Sequence, residues 1–369
     1  MPTRRAFLAM SKAYPLAAAA WPGLALAARE PAGGGGDVPK KPQPGAPGPE
    51  DIRLPPGGVM PMRMLGRTGV KVSVLGLGGF HIGIAKDERT AAEIIHTGID
   101  HGVTFLDNCW DYNDGRSEEW MGKALRDGHR KRVFLMTKID GRTRAAAAAQ
   151  IDQCLRSLQT DVIDLVQIHE VIRATDPGRV FGPDGAIEAL VAARKAGKLR
   201  FIGFTGHKSS GIHLAMLKKA SAHGFNFDTV QMPLNVMDAH QGDGFERRVL
   251  PVLVRQGIGV LGMKPFGSGL FFKSRPLAER TISPTACLQY PMTLPTSVVI
   301  TGCDTVGILE QAIDAAYRLS TAEPPPATAW LEKTAAAGAE GSWEKYKTSE
   351  TFDGTAKHPW WLDTASIAR

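Results

Sequence analysis

Three observations predict an α/β fold, a closed (β/α)8 TIM barrel. Eight short apolar, β-prone runs alternate with eight segments of helical periodicity between about residues 62 and 320. That length suits one eight-unit barrel. Three strand runs in succession end in ionisable residues: Val103-Thr104-Phe105-Leu106 in Asp107, Val133-Phe134-Leu135-Met136-Thr137 in Lys138, and Leu165-Val166-Gln167-Ile168 in His169. Both steps are 31 residues, about one strand–helix–strand unit. Groups at corresponding ends of parallel strands converge on one mouth, where such folds place their chemistry. An open doubly wound sheet is the competing architecture, but no GxGxxG follows the first strand run.

Taken in order, residues 1–28 read as a twin-arginine signal: Thr3-Arg4-Arg5-Ala6-Phe7-Leu8, an Ala- and Leu-rich stretch, then Ala25-Leu26-Ala27 with cleavage expected after Ala27 or Ala28. The apolar stretch is short and Pro-interrupted, so stable membrane insertion is not expected. In residues 29–60, 16 of 32 positions are Gly or Pro, which predicts a linker too poor in apolar surface to offset its ordering entropy. Met64 to Val70, followed by Val72 to Leu75, reads as a β-hairpin turned at Thr68-Gly69.

The barrel itself spans 61–320. Strands are expected near 74–79, 103–107, 133–138, 164–169, 200–205, 229–233, 258–263 and 297–301. Helices are expected at 88–101, 117–127, 144–158, 186–196, 210–222, 244–256, 284–293 and 305–319. Residues 321–369 form a C-terminal extension. Pro324-Pro325-Pro326 stops the last helix, and Trp330, Trp343, Trp360 and Trp361 predict docking, either across the barrel mouth as a substrate lid or on the outer helices or a partner.

Charge and cysteines bound the function. The net charge is +7, but Lys and Arg are scattered with no basic stripe interleaved with aromatics, so nucleic acid is not an expected partner. Cys109, Cys154, Cys287 and Cys303 show neither CxxC nor metal-finger spacing and read as unpaired thiols. Cys109 stands two residues past Asp107. His207, His213, His240 and Asp238 lack regular spacing, and no metal is expected.

Tyr112, five residues past Asp107, can fold back over the strand ends. A phenol beside Lys138 would have its phenolate favoured, bringing proton exchange closer to neutral pH. Asp107 would fix and orient the ammonium, and His169 could donate to a carbonyl oxygen. Trp110 and Asp111 would shape the substrate pocket. The loops Lys264-Pro265-Phe266-Gly267-Ser268-Gly269 and Thr301-Gly302-Cys303-Asp304 carry glycines that allow close backbone approach to a phosphate. Lys273, Arg275 and Arg280 add positive charge nearby.

The stretches FLDNCWDYNDGRSEEWMGKAL, TKI at 137–139 and DVIDLVQIHE at 161–170 resemble the aldo/keto reductases, from about Leu65 to Leu319. The resemblance places the family's four catalytic positions on Asp107, Tyr112, Lys138 and His169. It implies an oxidoreductase that reduces an aldehyde or ketone with a nicotinamide cofactor, and a hairpin plugging the barrel floor. The implied cofactor contacts are Thr205, Gln231, Met263, Lys264, Pro265, Gly267, Gly269, Gly302, Asp304 and Glu310. Several depart from the family pattern: Thr205 stands for the usual Ser, Gly206 for a frequent Asn, Met263 for the stacking aromatic, and Asp304 for a basic residue that grips a 2′-phosphate. The resemblance favours NADP(H); Asp304 leaves NAD(H) open, or else caps the last helix. The expected partners are a small carbonyl substrate and the twin-arginine export machinery, and the expected location is the periplasm. The competing expectation is a dinucleotide-binding redox-sensing or scaffolding subunit.

Overall fold

The structure, a computed structural model, describes Leu54 and residues 58–273, 282–321, 326–341, 343–349 and 352–354. The expected signal segment, most of the linker, Arg275, Arg280, Trp360 and Trp361 lie outside the described residues, as does the side chain of Lys273.

A two-stranded antiparallel hairpin, β1 (Met62–Met64) and β2 (Lys71–Ser73), precedes the barrel. The barrel strands are β3 (Leu75–Gly78), β4 (Phe105–Asp107), β5 (Phe134–Ile139), β6 (Ile163–Ile168), β7 (Leu199–Thr205), β8 (Thr229–Pro233), β9 (Gly259–Met263) and β10 (Val298–Gly302). They close in sequence order, all parallel, with β10 paired to β3. Each expected strand is present within two residues of its expected ends, because apolar runs bounded by turn residues can only be buried as parallel strands when helices cover the outside.

The helices are α1 (Gly79–Ile82), α2 (Glu88–Asp100), α3 (Arg116–Ala124), α4 (Arg144–Ser157), α5 (Asp176–Val180), α6 (Ala186–Lys195), α7 (Ser210–Ala222), α8 (Phe245–Arg248), α9 (Leu250–Arg255), α10 (Pro284–Thr293), α11 (Val306–Thr321), α12 (Ala327–Glu340) and α13 (Lys345–Thr348). Side-chain caps start several of them: Asp87, Thr143, Ser209 and Ser283 each accept from a backbone N–H of the first turn. The single helix expected at 244–256 is two, α8 and α9, broken at Val249. Pro251 has no N–H to donate to the preceding turn.

The barrel interior is filled by Phe105, Phe134, Met136, Leu165, Leu261, Val298 and Ile300, and is closed at the floor by Leu65 and Val72 of the hairpin. Arg63 fixes the hairpin by donating to the carbonyls of Met292 at 2.7 Å and Thr296 at 2.9 Å. The linker boundary at 60 is too late: Met60 is buried with the outer-helix core, and Leu54 packs against it.

Two parts of the C-terminal extension are described. α12 packs Trp330 and Ala337 into a second core with Met237, Phe271, Cys287 and Tyr290. Residues 343–349 and 352–354 lie at the C-terminal ends of the barrel strands, where Tyr346 is fully buried and meets Lys264, and the Phe352 carbonyl meets His207.

Candidate active site

β4 and β5 deliver Asp107 and Lys138 side by side, both buried. The Lys138 ammonium has three N–H groups and three acceptors: the Asp107 carboxylate, the Asn108 carbonyl at 2.8 Å and the Tyr112 hydroxyl at 3.1 Å. Because the Tyr112 oxygen accepts from Lys138, its own proton is directed elsewhere. Lys138 Nζ also lies 4.7 Å from the centre of the Tyr112 ring, and His169 meets that ring edge-on with centres 5.8 Å apart. All four sequence-predicted catalytic positions thus lie together.

One expectation is corrected. Tyr112 is not drawn toward neutral pH; its phenol is pushed well above the ordinary value, by burial first and then by Asp107, Cys109, Asp111 and Glu170. The Lys138 charge is matched at close range by Asp107, so the phenol experiences surrounding carboxylates and a low dielectric rather than a free cation.

Behind His169 lies a network that the sequence did not reveal. His169 Nδ1 is 2.9 Å from Asp140 Oδ1, and Trp110 Nε1 donates to Asp140 Oδ2 at 2.9 Å. Trp110, expected to shape the pocket, is buried with its indole N–H committed to this carboxylate. The Cys109 thiol donates to Asp111 Oδ1 at 3.1 Å and lies 3.3 Å from His169 Nδ1. Arg142, only 1 % exposed, clamps the backbone by donating to the carbonyls of Asp140 at 2.8 Å, His169 at 2.7 Å and Glu170 at 3.0 Å, and to Asp176 Oδ1 at 3.0 Å. The available signal was a carboxylate two residues past Lys138, at a strand end.

Cys109, Asp140 and His169 also bring metal-compatible atoms within 4.8 Å of one another. The 2.9 Å separation of Nδ1 and Oδ1 is that of a hydrogen bond, shorter than the roughly 3.3 Å edge of a tetrahedral zinc site. The His and Asp weighed as ligands from the sequence have other work. His207 Nε2 meets the Phe352 carbonyl at 2.8 Å, His240 meets Thr334 Oγ1 at 3.0 Å, and His213 lies in the core between Phe204 and Phe245. Asp238 accepts the N–H groups of Phe245 and Glu246.

The other side of the mouth carries the expected cofactor contacts. Gln231 is buried, its Nε2 is 3.4 Å from Asp107 Oδ2, and its Oε1 has no partner among the described residues. Thr205 Oγ1 faces the Met263 sulfur at 3.8 Å. Gly206 has no room for the Asn side chain common in relatives: a Cβ there would stand 2.3 Å from the Val171 carbonyl and 2.7 Å from His213. Pro265 and Gly267 are buried, and Gly269 is half-buried. Lys264 donates to Ser268 Oγ at 3.0 Å and is pushed down to about 8 by burial. Gly302 is covered by His81, whose Nδ1 would lie 1.8 Å from an added Cβ. Asp304 is not the cap of α11; Thr305 Oγ1 accepts from Ile308 N at 3.3 Å instead. Glu310 is half-exposed on that helix. The terminal segment completes this side. Lys264 lies under the rings of Tyr346 and Phe352, Asn235 donates to the Tyr346 hydroxyl at 3.0 Å, and Asp353 pairs with Arg173.

The Aldo/keto reductase family model matches residues 74–292, more than half of the chain. Over 226 residues the chain is 28% identical to the uncharacterized oxidoreductase YrpG of Bacillus subtilis, covering 56% of this chain and 66% of that protein. Over 199 residues it is 31% identical to the aldo-keto reductase YhdN of the same organism, covering 50% and 55%. The matches thus span less than two thirds of either relative. The fold is similar to the aldo-keto reductase AKR11C1 from Bacillus halodurans in its holo form: TM-score 0.62, 24% identity, 75% of this chain and 96% of that one.

Proposed function

We propose, for a chain that belongs to the aldo/keto reductase family, that it reduces an aldehyde or ketone to an alcohol with a nicotinamide dinucleotide. The observation that carries this reading is the buried chain from Asp107 through Lys138 to Tyr112. Lys138 occupies the phenol oxygen as a donor, which leaves the Tyr112 proton for a substrate oxygen. The upward displacement of Tyr112 keeps that proton in place through neutral pH, as an acid in the reductive direction requires. In the oxidative direction the phenolate would act as base. His169, edge-on to Tyr112, orients the carbonyl and stabilises charge on its oxygen.

The residues present fit a dinucleotide. Gln231, which the family resemblance matches to the nicotinamide-amide contact, has an acceptor, Oε1, without a partner among the described residues. Thr205 and Met263 stand beside it, and Lys264, Pro265, Gly267, Gly269, Gly302, Asp304 and Glu310 would hold the phosphates and adenosine. When bound, the dinucleotide supplies the hydride. The family resemblance supports NADP(H); Asp304, free of the capping role, supports NAD(H) as the second reading.

Tyr112→Phe removes the transferable proton alone. Carbonyl reduction across an aldehyde panel is expected to fall by more than tenfold, about 1.4 kcal/mol, with dinucleotide affinity retained. A smaller loss means that Tyr112 is not the acid. The sensor or scaffold reading predicts dinucleotide binding with no turnover in the unmodified protein, so the same assay separates the two.

Export by the twin-arginine route belongs to this proposal, supported by Arg4-Arg5 and the apolar stretch after them. Replacing both arginines with lysine should strand the protein in the cytoplasm; normal periplasmic delivery would remove this part of the reading.

A further inference from the structure

His169 has been given the task of donating to a carbonyl oxygen, and a neutral imidazole has one N–H only. Which nitrogen carries it follows from the surroundings. Asp140 accepts at both oxygens: Trp110 Nε1, a donor without acceptor capacity, lies at Oδ2, and His169 Nδ1 lies at Oδ1. Arg142 adds a positive charge close by through the Asp140 carbonyl. The carboxylate is therefore ionised, and Nδ1 must present a proton to it. The Cys109 thiol then cannot donate to Nδ1, and its hydrogen goes to Asp111 Oδ1. A neutral ring so arranged would turn a bare Nε2 toward the mouth. Only the cation offers Nε2–H there.

We propose that Asp140 is a positioning residue that holds His169 as an imidazolium, Nδ1–H on the carboxylate and Nε2–H available to a substrate oxygen. The proposal rests on the reductase reading above. The groups facing His169 are Cys109, Asp111 and Tyr112 after β4, Lys138, Asp140 and Arg142 from β5 and its loop, Glu170 beside it, and His207 after β7. Burial, the largest single influence, would lower His169, but the charge and hydrogen bond of Asp140 together with Glu170 and Asp111 outweigh it, and His169 ends above its ordinary value. Asp140 moves the opposite way: burial would raise it, while His169, Trp110 and Arg142 bring it below its ordinary value. Asp140 itself is immobilised from its backbone side, since Gln150 Oε1 accepts from the N–H groups of Asp140 at 2.9 Å and Gly141 at 2.8 Å.

The test is an NMR titration of the full chain with 15N-labelled histidine, His169 being assigned from the spectrum of His169→Gln. Wild-type His169 should carry protons on both nitrogens at pH 6.5, and Asp140→Asn should titrate lower by about one unit or more. A wild-type ring that is already neutral at pH 6.5, or equal values in the two proteins, overturns the proposal. The wild-type titration decides alone if Asp140→Asn does not fold. Turnover provides an independent readout. In Asp140→Asn the amide turns its oxygen to the Trp110 N–H and its own N–H to His169 Nδ1, so the neutral ring keeps its proton on Nε2. The limb that His169 titration gives the wild-type pH profile of kcat/KM should therefore be absent from Asp140→Asn, and profiles of the same shape in the two proteins overturn the proposal. The titration needs no turnover. Absence of reductase activity in the wild type would therefore count against the functional reading, while the titration would still show whether Asp140 holds His169 charged.

Discussion

The two halves of the barrel mouth are finished differently. At the ends of β4 to β6, Lys138 has three acceptors, Asp140 is held at both oxygens and at its backbone, and Arg142 ties the loop after β5 to the loop after β6. At the ends of β7 to β10, Gln231 Oε1 is left without a partner among the described residues, and Lys264 has a serine hydroxyl and two aromatic rings of the C-terminal segment. The first half is preorganised: groups that act on developing charge are worth most when they need not move. The second half leaves open a polar atom, Gln231 Oε1, to which the proposed function assigns a ligand. Buried charge is tolerated where it is paired.

The largest expected effect comes from breaking the preorganised half. Lys138→Met should lower carbonyl reduction by about 10²-fold or more and destabilise the fold by about 3–5 kcal/mol, because it strands the Asp107 carboxylate in the interior. Adding Asp107→Leu should restore much of the denaturation midpoint and none of the activity. If the double variant is no more stable than the single one, the cost does not come from the stranded charge.

A second test lies beneath the other half. His213 is pushed down to about 4 by burial, its ring held 5.0 Å from Phe204 and 4.9 Å from Phe245. Its folded value lies below the ordinary 6.5, so the unfolded chain binds the extra proton. The stability this residue contributes is present above pH 6.5 and is lost as the pH falls toward 4, in total about 3 kcal/mol. Urea unfolding of His213→Phe should lose less stability between pH 7 and pH 4.5 than the wild type, by about 2 kcal/mol. Parallel curves would show that His213 is not the titrating group.

The smallest effect sharpens the ligand-binding half. Two unit charges about 5 Å apart at an effective dielectric of 20 repel by about 3 kcal/mol, which bounds what Asp304 can do to a 2′-phosphate. Since Thr305 caps α11, Asp304→Arg should leave the helix intact. Dissociation constants for both reduced dinucleotides should then diverge, with NADPH tightening about tenfold and NADH weakening. Equal values before and after would place Asp304 away from the adenosine.

The sequence by itself determined the architecture and which side chains meet at the barrel mouth. Alternating strand and helix patterns are local, and with 31 residues between strand ends they put Asp107, Lys138 and His169 at the same end of adjacent strands whatever the details of packing. Tyr112 followed because a loop of five residues cannot carry it far. Tertiary structure alone decided the electrostatics and the fit. The direction in which Tyr112 shifts depends on carboxylates gathered from the end of β4 and the loops after β4 and β6, and on the depth of burial, neither of which any one segment records. The pairing of Asp140 with His169 joins residues 29 apart across two strand ends. Gly206 reads as a missing amide in sequence, while in space its Cβ position is already filled by Val171 and His213. The C-terminal segment, ambiguous as a Trp-rich tail, reaches the mouth because Lys264, Asn235 and Arg173 are there to receive it. Local pattern fixes which strand ends meet, since it depends on neighbours along the chain. The proton positions and contact surfaces depend on distances between segments, and those exist only once the barrel has closed.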